Sequence, residues 1–475
     1  MGGWREVPTD MASERFDVVV VGSGPGGYVG AIRAAQLGLK TAVVEAERPG
    51  GICLNWGCIP TKALLRNAEV LSLFHRAADF GVTFDNLRAD YGVAYRRSRQ
   101  VSDRMSKGVE FLFRKNTITL VAGRGELLGP GRVRVQPPPG GTQTLEARAV
   151  IVATGAEPKS LPGVAIDGTR VISSDHALRL ERLPASVIVI GAGAVGVEFA
   201  DVFAAYGTRV TIVEALPRLL PIEDEEISRL LARSFARRKI DVRTGAKVQA
   251  VGPAGDGVAV EIEHEGRAVR LTAEQVLMAV GRGAKTRGLG LEAVGVAMER
   301  GFVKVTPHME SSVPGIYAIG DVAGPPLLAH KASAEGMVVA ETIAGRPAHG
   351  VDYQAVPSCT YCHPQVASLG LTEAQARERG LAVRVGKYQF LANGKAQALG
   401  EPEGLVKIVA AADTGEILGV HILGAEATEL IAELGLGKTL EATVEEIGHT
   451  IHAHPTMSEA VMEAALDAMG QAIHL

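Results

Sequence analysis

The chain has 475 residues, enough for about three domains of ordinary size whose cores need neither a metal nor disulfides to fold. Its 49 Lys and Arg and 53 Asp and Glu are mixed along the sequence, so the formal charge of -4 excludes the basic patch expected of a protein that binds nucleic acid or anionic lipid. A 47% apolar content, 57 glycines and the lack of low-complexity tracts indicate a folded chain with many tight turns.

The N-terminal stretch, residues 1–17, lacks the apolar core of roughly 7–15 residues that a signal peptide requires. No window offers the roughly 18 apolar residues of a membrane span. We therefore expect a cytoplasmic protein, with either Met1 or Met11 as its natural start.

The first motif is a glycine-rich turn between a predicted strand, residues 16–21, and a predicted helix, residues 28–39. The turn is Gly22-Ser23-Gly24-Pro25-Gly26-Gly27, and a second strand, residues 41–44, ends in Glu45, 18 residues after the last glycine. Glycines let the backbone approach a pyrophosphate at a helix N-terminus, and the acid can accept a ribose hydroxyl. GxGxxG alone also occurs in ordinary turns, but this complete unit predicts a dinucleotide site.

The same unit recurs later in the chain. A strand at 187–190 leads into Gly191-Ala192-Gly193-Ala194-Val195-Gly196, a helix at 197–206, a strand at 208–213 and Glu214, again 18 residues past the last glycine. Two such units predict two dinucleotide sites in one chain.

The second module is predicted to be inserted into the first. Apolar strands at 150–155 and 277–282, closed by Gly155 and Gly281, mark the crossings. Residues 315–321 resume the first module with a strand that ends in Gly320-Asp321. There amides and a carboxylate can bind a polyol, although an isolated Gly-Asp pair is more often a simple turn.

The remainder of the chain has no glycine fingerprint. Strands at 365–371, 405–410 and 417–422 with helices at 426–439 and 457–471 predict an α+β unit. The predicted domains are residues 1–149, 150–282, 283–350 and 351–475, of which the first and third form one domain, so the fold class is α/β with a final α+β domain.

Two cysteines directly follow the first module, in Gly50-Gly51-Ile52-Cys53-Leu54-Asn55-Trp56-Gly57-Cys58-Ile59-Pro60-Thr61-Lys62. Five residues apart in a straight helix they would be badly placed to bond, but Gly57 permits a distorted turn that brings them together. Helix amides and a nearby cation such as Lys62 favour the thiolate that attacks disulfides. The alternative is a structural disulfide or two buried thiols.

A histidine cluster, His449, His452 and His454, precedes Pro455, and Glu459 follows. A histidine oriented by a carboxylate is a suitable base for a dithiol that must lose a proton. Clustered loop histidines are otherwise more often solvated surface or a chance metal site.

The motifs GGICLNWGCIPTKALL, GIYAIGD, LLAHKASAEG and HAHPTMSEA, together with both GxGxxG units, carry a specific resemblance. The chain resembles the pyridine nucleotide-disulfide oxidoreductases over essentially its whole length and, among them, is most similar to the dihydrolipoamide dehydrogenases. The resemblance implies two Rossmann-like domains, the NAD domain inserted into the FAD domain, followed by a dimerisation domain.

The resemblance also implies roles for individual residues. FAD is expected to bind at Gly22, Gly24, Pro25, Gly26, Gly27, Glu45, Gly51, Lys62, Gly125, Thr154, Gly155, Asp321 and Ala329. NAD is expected to bind at Gly191, Gly193, Gly196, Glu198, Glu214, Val248 and Gly281. No metal is expected.

The catalytic residues implied are Cys58 as the thiol facing the flavin, Cys53 as the thiol that meets the substrate, His454 as the base and Glu459 as the acid that orients it. His452 is expected to have no role in proton transfer. Glu214 has its own physical argument, since it accepts from a free 2′-hydroxyl and repels the 2′-phosphate of NADP.

The resemblance further implies a homodimer in which the base serves the active site of the other subunit, and partners that carry lipoyl groups, either the E2 acyltransferases of 2-oxo acid dehydrogenase complexes or the H protein of glycine cleavage. Rival functions are a glutathione-type or mercuric reductase, or a component that mainly binds an acyltransferase assembly. A glutathione-type enzyme would want an arginine in place of Glu214, and a mercuric reductase typically carries a C-terminal cysteine pair that this chain lacks.

Three features depart from the family pattern. Trp56 and Gln365 stand where relatives often have a smaller apolar residue and Glu. Cys359 and Cys362 form a further C-x-x-C pair, for which alternation along a strand predicts opposite directions and idle thiols rather than a second redox pair.

Overall fold

The computed structural model describes residues 15–138 and 140–474. The expectations about a signal peptide and about Met1 or Met11 as the start therefore concern residues outside this range. The described chain forms two compact units. One contains residues 15–63, 95–159 and 282–353, and the other contains residues 64–94, 160–281 and 354–474. The second unit unites the predicted NAD and C-terminal domains, so the boundary at residue 351 remains a prediction.

The N-terminal part supplies the elements of the first nucleotide module. The strands are β1 Arg15–Val21, β2 Thr41–Glu45, β3 Thr119–Ala122, β4 Arg124–Gly129, β5 Arg132–Gln136, β6 Gln143–Val152 and β7 Ala156–Pro158. The helices are α1 Pro25–Gln36, α2 Gly51–Trp56, α3 Cys58–His75 and α4 Tyr91–Lys115.

The middle part contains the second module and the return to the first. The strands of the second module are β8 Val171–Ser173, β9 Ser186–Ile190, β10 Arg209–Val213, β11 Asp241–Arg243, β12 Lys247–Ala254, β13 Gly257–His264, β14 Arg267–Ala273 and β15 Gln275–Met278. Its helices are α5 Ser174–Ala177, α6 Ala194–Ala205 and α7 Glu225–Arg237. The return consists of β16 Arg282–Ala284, β17 Met298–Glu299, β18 Phe302–Val303, β19 Ile316–Ala318 and α8 Ala329–Ile343.

The C-terminal part is the predicted α+β region. Its strands are β20 Ser358–Thr360, β21 Gln365–Gly370, β22 Val383–Gln389, β23 Leu405–Ala411 and β24 Ile417–Gly424. Its helices are α9 Glu373–Glu378, α10 Gly394–Leu399, α11 Ala427–Thr439, α12 Val444–His449 and α13 Glu459–Ala468.

The sheet of the first unit has the order β3-β2-β1-β6-β5-β4, with β19 also paired to β6. Its nucleotide-binding half is parallel, whereas β4, β5 and β6 form an antiparallel meander. Val18, Val19 and Val20 are fully buried, as expected for a parallel strand covered on both faces. This sheet brings the ends of β1, β2 and β19 to one edge, where nucleotides bind in such folds.

The second unit contains an all-parallel sheet, β11-β10-β9-β15-β8, an antiparallel meander, β12-β13-β14, and the antiparallel C-terminal sheet, β20-β21-β24-β23-β22. Helices α11 and α13 contribute apolar side chains to the core of that last sheet. The repeated strand-turn-helix-strand unit and the α+β region predicted from the sequence are both present.

Several predicted helix limits were wrong; α6, for example, begins at Ala194 instead of residue 197. Helix α1 begins at Pro25 instead of residue 28, because the last two glycines of the turn already form its first turn and Pro25 occupies a position where no N–H is needed. Helix α13 ends at Ala468 instead of residue 471. Across residues 15–138 and 140–474, no helix combines the length and apolarity that crossing a bilayer requires.

Candidate active site

The first glycine turn is tightly packed at its ends and open at its centre. Gly22 has a φ of +102°, and a Cβ there would lie 2.4 Å from the carbonyl oxygen of Ala153. A Cβ on Gly27 would lie 2.0 Å from the oxygen of Gly22, but one on Gly24 would meet nothing within 4 Å. Gly24 precedes α1 without a side-chain cap, so the first amides of this helix remain available to an anion. The turn therefore fits a pyrophosphate.

Glu45 at the end of β2 is held against this turn. Its Oε2 accepts hydrogen bonds from the N–H and the hydroxyl of Ser23, at 2.9 and 2.5 Å. Its Oε1 accepts from the N–H of Glu47 at 2.9 Å. The carboxylate is thus fixed beside the turn, and a ribose hydroxyl can use its remaining lone pairs.

Gly51 brings the start of α2 against the same turn. Its φ is +57°, and a Cβ there would lie only 2.7 Å from the Cα of Gly24. The N–H of Gly50 donates to the oxygen of Ser23 at 3.0 Å. The segment that carries the cysteines is therefore packed directly on the predicted FAD turn.

The two cysteines flank a break between α2 and α3. Gly57, between the helices, has φ -149° and ψ -117°, and a Cβ there would lie 3.0 Å from the oxygen of Ile52. The break lets the side chain of Cys53 hydrogen-bond with Cys58, and both are thiols in this structure. The distorted turn predicted at Gly57 is confirmed.

The surroundings of Cys53 raise the pKa of its thiol, against the expectation that helix amides and Lys62 favour the thiolate there. The hydrogen bond with Cys58 is the largest cause that raises the pKa of Cys53, burial adds to it, and the positive charge of Lys62 opposes it. Tyr28 lies close by, since burial and the charge of Cys53 both raise the pKa of its phenol.

Asp321 lies in a single 3₁₀ turn, Gly320–Ala323, that follows β19. Burial raises the pKa of its carboxyl group, against the positive charges of Lys331 and Arg282. Its place beside the end of the parallel sheet agrees with the predicted contact to FAD, which remains a prediction.

A buried ion pair holds this turn in place. The ammonium group of Lys331 is 1% exposed and donates to the carbonyl oxygens of Gly320 and Gly324, at 3.0 and 2.9 Å, and to Glu335 at 3.2 Å. Glu335 accepts in turn from the N–H of Gly320 at 2.7 Å and from the hydroxyl of Tyr353 at 2.8 Å. All three protons of the ammonium have acceptors, which a buried charge requires.

The other predicted FAD residues lie in the same unit. Pro25 starts α1, and a Cβ on Gly26 would lie 2.9 Å from a backbone oxygen of α8. Gly125 on β4 approaches β1, where a Cβ would meet a side chain at 2.8 Å. Ala329 begins α8, whose N-terminus has no side-chain cap.

Thr154 and Gly155 lie just past the end of β6. The hydroxyl of Thr154 donates to the oxygen of Lys285 at 2.8 Å, and the oxygen of Gly155 accepts from the N–H of Lys285 at 2.9 Å. These hydrogen bonds join the segment after β6 to the segment after β16, where the chain returns to the first unit.

The second glycine turn repeats the geometry of the first. Gly191 also has a φ of +102°, and a Cβ there would lie 2.4 Å from the oxygen of Ala279. A Cβ on Gly196 would lie 2.0 Å from the oxygen of Gly191, and one on Gly193 would meet nothing within 4 Å. Helix α6 likewise begins without a side-chain cap. This turn also fits a pyrophosphate.

Glu214 is positioned like Glu45. It accepts from the N–H of Ala192 at 2.7 Å and of Leu216 at 2.8 Å. Arg218, one of the nearest cations in sequence, lies 3.7 Å from Glu225. Selection of NAD over NADP by Glu214 remains a prediction.

The remaining predicted NAD residues lie in the same unit as Glu214. Glu198 is buried in α6, where its Oε1 accepts from the N–H of Tyr361 at 2.9 Å. Val248 is partly buried in β12, and Gly281 follows β15 with a φ of +102° and open space at its Cβ position. Their contacts with NAD remain a prediction.

The second unit holds the acid-base pair. His454 Nδ1 lies 2.9 Å from Glu459 Oε1, and the side chain of His454 is 79% exposed. Burial works against ionisation of Glu459, but the N–H of Thr456 and the ring of His454 outweigh it and lower its pKa. An ionised Glu459 therefore orients the ring and leaves Nε2 for a proton.

His452 is engaged at both ring nitrogens. Its Nε2 lies 2.7 Å from Glu433 Oε1 and its Nδ1 lies 2.8 Å from the oxygen of Thr450. The hydrogen bond with Glu433 is the main cause that raises the pKa of His452. This agrees with the prediction that His452 takes no part in proton transfer. Glu433, 19 residues away on helix α11, gave no signal in the sequence.

The two cysteines of the second pair lie in different surroundings. Cys362 is fully buried and donates to the oxygen of Pro364 at 3.2 Å, and burial raises its pKa well above the usual value. Cys359 lies on β20 against the C-terminal core. Cys362 lies beyond that strand, so strand alternation was the wrong reason, but the burial of Cys362 supports an idle thiol. Within the described ranges, no cluster of three or more His, Cys, Asp or Glu can hold a metal.

Comparison with known proteins shows the family of this chain. Residues 16–336 match the family model described as pyridine nucleotide-disulphide oxidoreductase, and residues 356–465 match the model of the dimerisation domain of the same family. A dihydrolipoyl dehydrogenase of Rhizobium etli is 47% identical over 97% of this chain and 100% of its own length. One from Chlorobaculum tepidum is 49% identical over 97% of this chain and 98% of its own length.

A solved structure is also similar. The crystal structure of LpdA from Mycobacterium tuberculosis has a TM-score of 0.88 and 29% identity, over 95% of this chain and 99% of that chain. The chain belongs to the pyridine nucleotide-disulphide oxidoreductase family, and its predicted α/β fold with a final dimerisation domain is confirmed. Within that family it is an FAD- and NAD-dependent oxidoreductase of the dihydrolipoyl dehydrogenase type.

Proposed function

We propose that the chain oxidises dihydrolipoamide to lipoamide through Cys53 and Cys58 and passes the electrons to NAD. The observation that carries this assignment is the break at Gly57, which places the two thiols in hydrogen-bond contact on a segment packed against the FAD turn. A structural disulfide would not need that position.

The exchange step involves only protein side chains and the substrate. One thiol of dihydrolipoamide attacks Cys53 of the disulfide, the Cys53–Cys58 bond breaks, and the second substrate thiol closes the lipoamide ring. The protein pair becomes a dithiol. His454, oriented by Glu459, takes the proton that the attacking thiol must lose. FAD, when bound, supplies the two-electron chemistry that links the dithiol to NAD.

The residues proposed to hold the cofactors are those whose geometry fits a dinucleotide. The open centres at Gly24 and Gly193 and the uncapped helices behind them suit the pyrophosphates of FAD and NAD, and Glu45 and Glu214 suit the riboses. Lys62, near Cys53, supplies positive charge at the redox pair.

We further propose a homodimer in which His454 serves the active site of the other subunit. The dimerisation-domain match and strongly exposed apolar side chains in that domain support it. These are Leu436, Leu440 and Ile451, which are 61%, 70% and 97% exposed. Sedimentation tests this, since a fully active monomer would contradict it.

The proposed partners are lipoyl groups carried by E2 acyltransferases or by the H protein of glycine cleavage, in the cytoplasm. Comparison of free dihydrolipoamide with a lipoylated protein domain as substrate tests whether a protein partner contributes to recognition.

The decisive assay for this function compares thiol donors in NAD reduction. Dihydrolipoamide should exceed glutathione and coenzyme A by more than about a hundredfold, because its two linked thiols close a ring as the enzyme disulfide opens. Cys53→Ser should abolish the reaction. Equal rates with glutathione, or full turnover by Cys53→Ser, would contradict the proposal.

A further inference from the structure

Helix α4 presents a polar stripe to the segment that carries the redox cysteines. Arg99, Asp103 and Ser106 are spaced i, i+4 and i+7, which places them on one helical face. Ser102 and Ser106 on this face are buried, at 1% and 0% exposure. Buried polar side chains at helical spacing have to find partners.

The partners of this stripe lie at both ends of the cysteine segment. Before α2, the hydroxyl of Ser106 donates to the oxygen of Pro49 at 2.7 Å, and Asp103 lies 2.8 Å from the guanidinium of Arg48. After Cys53, Arg99 donates to the oxygen of Asn55 at 2.7 Å. The segment is thus held on each side of Cys53.

Arg99 makes the most specific of these contacts. Its guanidinium lies 4.6 Å from the ring centroid of Trp56, a cation–π distance, while one nitrogen binds the oxygen of Asn55 and another binds Ser102 at 3.1 Å. Trp56 and Asn55 are the last residues of α2, directly before the break at Gly57.

The geometry points to Arg99 as a positioning residue for the Cys53–Cys58 pair. This inference rests on the proposed function of those cysteines. The contacts that carry this role are with Asn55 and Trp56, at the end of α2. It fixes the end of α2, so that the break at Gly57 holds Cys53 against Cys58 instead of letting the segment open. Trp56, a departure from the family pattern, is the surface on which the guanidinium rests.

The consequence concerns the stability of the disulfide. Held thiols have a high effective concentration toward each other, so a looser segment should make the disulfide easier to reduce. In the full-length protein with its flavin, Arg99→Met removes the hydrogen bond and the charge while it keeps a side chain of similar length. Arg99→Lys keeps the charge but loses the planar fork.

The experiment equilibrates each variant with mixtures of reduced and oxidised dithiothreitol. Dithiothreitol gives two electrons and two protons, the Cys53–Cys58 bond breaks, and dithiothreitol closes into its cyclic disulfide. Acid quenching, alkylation and mass spectrometry then count the thiols in the peptide that carries both cysteines. Arg104→Met is the matched control, since Arg104 is exposed on the same helix.

Arg99→Met should shift the equilibrium about tenfold toward the dithiol, which corresponds to about 30 mV for a two-electron couple. Arg99→Lys should lie between this variant and the wild type, with a shift of at least about twofold because it loses the planar fork, and Arg104→Met should equal the wild type. Flavin content and NADH-driven reduction of ferricyanide, which bypasses the thiols, should be unchanged in all three, whereas a general loss of structure would lower both.

A shift of less than twofold in Arg99→Met overturns the inference. If that variant does not retain flavin, Arg99→Lys decides by the same twofold limit. A wild-type protein whose Cys53 and Cys58 do not cycle at all would instead refute the proposed function, so the two failures are distinguishable.

Discussion

The two glycine turns have nearly the same backbone but different surroundings. Both begin with a glycine at a φ of +102° and end with one whose Cβ would lie 2.0 Å from a backbone oxygen. In the first turn, Ser23 adds a side-chain hydrogen bond to the ribose-binding acid, whereas Ala192 at the equivalent position of the second turn offers only its N–H.

The helices that follow differ more strongly. Gly26 and Gly30 let α1 pack backbone to backbone on α8, where a Cβ on Gly336 would lie 2.6 Å from the oxygen of Gly26. Val195, at the position equivalent to Gly26, is 36% exposed. The same motif is thus buried against a second helix and the cysteine segment in one module and left open in the other, which suits a resident nucleotide and an exchangeable one.

The largest expected effect comes from substitution of the last glycine in each turn, Gly27 or Gly196. Gly27→Ala should abolish flavin retention, because its Cβ would overlap the oxygen of Gly22 in the turn on which the cysteine segment packs. Gly196→Ala has the same clash in the second turn. This variant should remain yellow, but its NAD-dependent turnover should fall more than about a hundredfold, which corresponds to about 3 kcal/mol of activation free energy. The ratio of flavin to protein absorbance after gel filtration and steady-state kinetics measure both. A colourless Gly196→Ala protein would contradict the assignment of flavin binding to the first turn and NAD binding to the second.

The next largest effect is expected from a substitution outside both glycine turns, at Glu459. Glu459→Gln keeps the shape of the side chain but removes the charge that orients His454 at 2.9 Å. Dihydrolipoamide oxidation should fall about a hundredfold, within the range that general-base catalysis contributes. NADH-driven ferricyanide reduction should stay at the wild-type rate. A parallel loss of both activities would place Glu459 in a structural role.

The acids that end the second strands sharpen the comparison. Glu214→Gln should raise the KM for NADH about tenfold with little change in kcat, since a hydrogen bond to a charged acceptor contributes about 1.5–3 kcal/mol. It should also narrow the preference for NADH over NADPH, because the repulsive charge is gone. Competitive kinetics with both nucleotides measure this. An unchanged preference would show that Glu214 does not select the cofactor.

The smallest expected effect tests the helix contact itself. Gly26→Ala places a Cβ 2.9 Å from the oxygen of Ala332 and should destabilise the protein by about 1–3 kcal/mol, the usual cost of overpacking. Val195→Ala at the open equivalent should stay within about 1 kcal/mol. Thermal unfolding monitored by flavin fluorescence compares the two. Equal shifts in Tm would remove the proposed difference between the modules.

Much of this organisation follows from local sequence rules. Gly22 and Gly191 require positive φ, and the spacing to Glu45 and Glu214 sets where β2 and β10 end, so both modules were predictable. Gly57 between two cysteines predicted the break for a similar reason. Contacts between residues far apart in the sequence could not be predicted in this way. Arg99 donates to the oxygen of Asn55, which is 44 residues away in the sequence. Glu433, on helix α11, hydrogen-bonds with His452, which is 19 residues away.

The union of the NAD and C-terminal regions in one compact unit has a similar origin. Lys407 is 3% exposed and donates to both oxygens of Asp224, each at 3.0 Å, across 183 residues. Tyr361 and His363 donate their N–H groups to Glu198 and Asp201. Such pairings cannot be predicted from composition or periodicity, because the pairings depend on which surfaces the folded chain brings together.

The central claim is that electrons leave the substrate through the Cys53–Cys58 pair, and anaerobic mixing of dihydrolipoamide with the oxidised protein tests it most directly. Loss of the visible flavin absorption band or a change in its shape should occur within the turnover time in the wild type and be absent in both Cys53→Ser and Cys58→Ser. Flavin changes at equal rates in the three proteins would contradict the account.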